Sequence, residues 1–82
     1  MSDLVLTLYG RRECHLCHAM AAELAALQAG RGFLVESVDI DTDPRLLFRY
    51  ANDVPVLVAG EVEICRHRLD AARLDAYLAE VR

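Results

Sequence analysis

The chain has 82 residues, 55% of them hydrophobic, with only 4 glycines and 2 prolines. That suits one small hydrophobic core, so a single domain over residues 1–82 is expected and a disordered segment is excluded. The formal charge of −4 offers no basic stripe for nucleic acid, and because all nine basic residues are arginine a Schiff-base lysine is excluded as well.

The N-terminal "MSDLVLTLYG" lacks the cationic and apolar segments of a signal peptide, and no stretch is long enough to cross a bilayer. A cytoplasmic monomer without nucleic-acid or membrane partners is expected. Three cysteines cannot all pair within one chain, which points to redox or metal chemistry rather than a structural disulfide framework.

Leu4 to Tyr9, "LVLTLY", is an almost continuous apolar, β-favouring run, expected to form a central strand buried on both faces. After "GRRE" the period changes. Leu16, Met20, Leu24 and Leu27 repeat at helical spacing through an alanine-rich stretch that Gly30 and Gly32 should stop, so a helix opens at the Cys14-x-x-Cys17 pair. Phe33 to Ile40 reads as a second strand, parallel to the first through a βαβ connection. Asp43 is placed to cap a short helix whose first residue is Pro44.

"VPVLVAG", Val54 to Gly60, reads as a third strand. Gly60 turns it into Glu61–Cys65, where Val62 and Ile64 alternate with Glu61 and Glu63 as on a half-exposed edge strand. Asp70 should cap a last helix, with Leu69 and Leu74 placed for a hydrophobic staple and Leu74, Tyr77, Leu78 and Val81 sharing one face.

Three chemistries fit Cys14-His15-Leu16-Cys17-His18: a redox dithiol, part of a zinc site and a c-type haem attachment sequence. Zinc would need Cys14, Cys17, Cys65 and His67 to converge, whereas Cys65 is expected on an edge strand away from the first helix. Haem would take His18 and either Met20 or Met1 as axial ligands and a wide apolar pocket, yet the flanking segments read as a strand and a core-packing helix. A thiol at a helix N-terminus, by contrast, meets unpaired backbone N–H groups that stabilise its thiolate. On that reading Cys14 attacks and the more buried Cys17, one turn on, resolves. Arg11, Arg12 and His15 add positive charge around Cys14, and Arg12 and His15 are assigned to tuning its thiol. The second reading is a non-enzymatic metal or iron–sulfur module using the same cysteines.

"LTLYGRRECHLC", "DVPVLVAG" and "RLDAARLDAYL", in this order and covering nearly the whole chain, resemble the glutaredoxin-like branch of the thioredoxin-fold family. The resemblance implies an α/β thioredoxin-like fold, β-α-β-α-β-β-α, with a four-stranded mixed sheet flanked by helices. It implies a thiol–disulfide oxidoreductase in which Cys14 is the nucleophile, Cys17 the resolving thiol, Pro55 the cis-proline and Arg11 a basic position that is usually lysine, with Arg11, Val54 and Pro55 expected to bind substrate.

A cis Val54–Pro55 bond would present the Val54 backbone to an extended substrate, and Arg45 and Arg49 could meet a substrate carboxylate. His15-Leu16 stands where the family commonly has Pro-Tyr, and Asp53 where it has Thr. The family's Gly-Gly-x-Asp turn, which holds the glutamyl end of glutathione, has no counterpart, because "ICRHRLD" occupies the region. No bound cofactor is therefore expected. The expected substrates are protein or glutathione mixed disulfides and the expected partners thiol and disulfide proteins or glutathione, with glutathione a weak co-substrate and a thioredoxin-type dithiol as an alternative reductant.

Overall fold

A computed structural model describes residues 4–81. In chain order the elements are β1 (Leu4–Gly10), α1 (His15–Arg31), β2 (Phe33–Asp39), a 3₁₀ turn (Ile40–Thr42), α2 (Pro44–Tyr50), β3 (Val56–Ala59), β4 (Val62–Arg66) and α3 (Ala71–Glu80). The sheet order is β2-β1-β3-β4. β1 and β2 are parallel, and β3 runs antiparallel to both β1 and β4. This is the expected β-α-β-α-β-β-α order and mixed sheet, with β1 central.

Side chains alternate across a strand, so the sheet has two faces and builds two cores. Leu6 and Leu8 of β1, Leu57 and Ala59 of β3, Met20 and Leu24 of α1, and Leu74 and Leu78 of α3 share one cluster. Val56 and Val58 of β3 point the other way, joining Ile40 and Tyr50, with Tyr9, Leu46 and Leu47 packed against them. All four β3 residues are buried because both faces are covered there. β1 is covered less evenly than the sequence suggests: Val5, and Leu34 paired with it in register, are about half exposed. α2 has only seven residues, about 10 Å of helix, too short to reach that end of the sheet.

Two details of α1 differ from the sequence reading. Its buried stripe is Cys17, Met20 and Leu24, and Leu16 is 38% exposed because at 100° per residue it falls about 70° from the centre of that stripe. The helix also continues through Gly30 to Arg31 and stops only at Gly32. There φ is 66°, the left-handed conformation glycine adopts without a Cβ clash, and the Gly32 N–H donates to the Gln28 carbonyl.

The other helices start as expected. The Asp43 carboxylate accepts from the Arg45 N–H with Pro44 in the first turn, and the Asp70 carboxylate accepts from the Arg73 N–H. Leu74 is buried in the larger core and Leu69 packs against that core, but Val81 ends α3 half exposed rather than on its buried face. β2 ends at Asp39, and Ile40 begins the 3₁₀ turn. β4 runs from Val62 to Arg66, and its pairing with β3 slips between Leu57 and Val58. Leu57 faces Cys65 while Val58 faces Glu63, leaving Ile64 as an extra residue. The bulge buries Ile64 and Cys65 together and breaks the simple alternation.

Candidate active site

The central strand, with Leu6 and Leu8 anchored in the core, delivers the chain through Gly10–Glu13 to Cys14, where α1 begins. Cys14 is the N-cap in an extended conformation (φ −144°, ψ 103°), and its Sγ accepts from the Cys17 N–H at 3.1 Å. A sulfur thus takes the capping role more often filled by a hydroxyl or carboxylate oxygen. It satisfies one of the free N–H groups of the first turn and sits at the positive end of the helix.

Cys14 is partly buried, Cys17 is 5% exposed, and a disulfide joins them with the Cα atoms 5.2 Å apart. The contrast in burial is the one expected for an attacking and a resolving thiol. A cleft of about 260 Å³ runs against Cys17, lined among others by Gly10, Arg12, His18, Val38 and Asp39.

The remaining predicted residues surround this pair unevenly. Arg12 and His15 are exposed, His15 being the first residue of α1. Arg11 is held by Asp41 of the 3₁₀ turn through a bidentate contact, Nη2 to Oδ1 at 2.8 Å and Nε to Oδ2 at 3.2 Å. The pair ties the loop before Cys14 to the end of β2. Nothing in the local sequence signals it, because the partners lie 30 residues apart.

The Val54–Pro55 peptide bond is cis, with Pro55 buried and Val54 partly so. The Arg66–His67 segment is fastened to this loop twice: the His67 N–H donates to the Pro55 carbonyl at 2.8 Å, and the Arg66 guanidinium reaches Asp53 at 3.2 Å. His67 itself has a positive φ of 67°.

Tyr9, at the end of β1, stacks on Tyr50 with ring centroids 4.8 Å apart, and the Arg49 guanidinium lies 5.3 Å from the Tyr50 centroid. Arg45 and Arg49 are exposed on α2, flanking Phe48, which is 93% exposed. Cys65 lies in the larger core, and burial pushes its thiol pKa up. Among the described residues no three His, Cys, Asp or Glu side chains are grouped to hold a metal, so the zinc set of Cys14, Cys17, Cys65 and His67 does not converge. Met20, one axial candidate of the haem reading, is 1% exposed within the core, and Met1 lies outside the described residues.

A family model described as Glutaredoxin-like domain (DUF836) matches residues 5–79. Among solved structures, protein Ne2328 from Nitrosomonas europaea is 38% identical, with 94% of this chain and 93% of that one covered and a TM-score of 0.83. Protein XcR50 from X. campestris is 43% identical, with coverages of 92% and 96% and a TM-score of 0.68. Thioredoxin 1 from the thermophilic eubacterium Thermosipho africanus TCF52B, at 17% identity, coverages of 95% and 98% and a TM-score of 0.65, shares the fold. No curated protein matches the chain.

Proposed function

The chain belongs to the glutaredoxin-like domain family and has the thioredoxin fold, which support a redox-type function, and from that premise we propose that it is a thiol–disulfide oxidoreductase acting through Cys14 and Cys17. The observation that carries the proposal is the placement of both sulfurs within bonding distance at the first turn of α1, with the Cys17 N–H directed at the Cys14 Sγ. That N–H and the helix terminus stabilise negative charge on Cys14 when the pair is reduced, so its thiolate forms below the free-cysteine pKa of about 8.5.

In the reaction, the Cys14 thiolate attacks one sulfur of a substrate disulfide. A Cys14–substrate disulfide forms and the first substrate thiolate leaves. The Cys17 thiolate then attacks the Cys14 Sγ, closing the Cys14–Cys17 disulfide and releasing the second substrate thiolate. The substrate gains two electrons, the dithiol loses two, and an external thiol reductant restores it.

The partners are thiol and disulfide compounds. Val54, beside Pro55, offers its backbone to an extended substrate, Arg12 adds positive charge near Cys14, and His15, the first residue of α1, offers a ring N–H donor. Arg11 acts as an electrostatic and structural element of the loop, because Asp41 already occupies its guanidinium. With Arg66 and His67 fastening the segment in place of the glutathione-holding turn, glutathione is proposed as a weak co-substrate, and a thioredoxin-type dithiol as the reductant.

Turnover of a protein disulfide and of a small glutathione mixed disulfide, measured for the wild type, Cys14→Ser and Cys17→Ser, tests the reading. Cys14→Ser should abolish both activities, and Cys17→Ser should accumulate a mixed disulfide on Cys14. Wild-type turnover by Cys14→Ser would refute it, and efficient glutathione-coupled turnover would refute the assignment of glutathione as a weak co-substrate.

A further inference from the structure

Gly10, the last residue of β1, lies against the resolving cysteine. A Cβ built on it would lie 3.2 Å from the Cys17 Sγ and 3.3 Å from the Cys17 Cβ, closer than carbon and sulfur normally pack. The glycine backbone has little freedom to yield, since β1 is laddered to β2 along its length and Gly10 itself pairs with Asp39. Cys17, in the first turn of α1 and bordering a cleft, is the side that would give way.

We infer that Gly10 is a positioning residue for the resolving step: its missing side chain leaves the space in which the Cys17 thiol lies when it attacks Cys14. The inference rests on the dithiol reading above. In that step the Cys17 thiolate must approach the Cys14 Sγ in line with the bond to the leaving sulfur, forming one S–S bond as the other breaks. A methyl group at position 10 shifts Cys17 by a few tenths of an ångström and takes its sulfur off that line. Cys14 has no such contact with Gly10, so the first attack is left alone.

Dithiobis-nitrobenzoate separates the two steps without a physiological substrate. Attack by Cys14 releases one coloured thiolate and leaves an aryl mixed disulfide, and attack by Cys17 on Cys14 releases the second. Gly10→Ala should leave the first rate unchanged and slow the second by about five- to tenfold, given that a misplacement of 1 Å costs on the order of a hundredfold. Gly30→Ala, whose added methyl would meet nothing within 4 Å, should change neither rate.

Equal second-step rates in Gly10→Ala and the wild type would overturn the inference, as would equal slowing of both steps. If Gly10→Ala fails to fold, Gly10→Ala combined with Cys17→Gly, which removes both the Sγ and the Cβ that the added methyl meets, decides: recovery of the fold supports the contact, and failure to recover overturns it. A wild-type protein that releases only the first thiolate would instead bring down the dithiol reading, and this inference with it.

Discussion

Three thiols in one small chain have three environments, and the environments set their chemistry. Cys14 caps a helix and accepts an N–H, Cys17 is packed beneath it, and Cys65 is 4% exposed in the main core, where desolvation penalises the thiolate. Alkylation of the reduced native protein with iodoacetamide should therefore modify Cys14 first and spare Cys65 until denaturant is added. Native labelling of Cys65 at the rate of Cys14 would contradict this assignment. The first two environments were legible in the sequence, because a buried strand followed by a C-x-x-C at a helical period places both thiols at a helix start. Strand alternation alone does not bury Cys65: from Glu61 to Cys65 it points Ile64 inward and Cys65 outward, and the bulge opposite Leu57 and Val58 brings both inside. The Arg11–Asp41 pair escaped for a different reason: a contact across 30 residues leaves no local pattern.

Among the elements, α1 carries the greatest burden, holding the dithiol at one end and the core along its length. Leu16 and Leu24, eight residues apart on the same helical repeat, look equivalent in the sequence, yet Leu24 is 0% exposed and Leu16 is 38% exposed, a consequence of their different angular positions about the helix. Leu24→Ala should cost about 2–5 kcal/mol in urea unfolding, the usual range for emptying a well-packed site. Leu16→Ala should stay within roughly 0.5 kcal/mol. Comparable losses from the two would show that the buried stripe has been misplaced. The caps were easier to read. Asp43-Pro44 and Asp70 are local signals, acting within three residues of themselves, and both carboxylates accept the N–H groups expected of them. Asp70→Ala should lower stability by about 1 kcal/mol, while a change near zero would mean that the cap contributes nothing in this setting.

At the scale of the whole molecule, two cores on opposite faces of one sheet hold the fold, and charge pairs on the surface adjust it. Glu63 accepts hydrogen bonds from Arg66, which lower its carboxyl pKa, and Arg31 does the same for Asp75. A carboxylate whose pKa is lower folded than unfolded stabilises the fold above its unfolded pKa, and that contribution disappears as pH falls through the folded value. Stability should therefore decline on acidification below the ordinary carboxylate range of about 4 to 5. Glu63→Gln should cost under about 1 kcal/mol at neutral pH, both partners being partly exposed, and nothing where wild-type Glu63 is itself protonated. An unchanged difference between the two proteins across the acid range would contradict the linkage. On the proposed function, Cys14 and Cys17 form one reversible two-electron couple. Equilibration in glutathione redox buffers, with the products resolved by mass, tests it most directly. A single transition between dithiol and Cys14–Cys17 disulfide is expected, with a tenfold change in their ratio per roughly 30 mV and Cys65 a free thiol throughout. A Cys14–Cys17 pair that stays reduced in every buffer, or a disulfide involving Cys65, would contradict it.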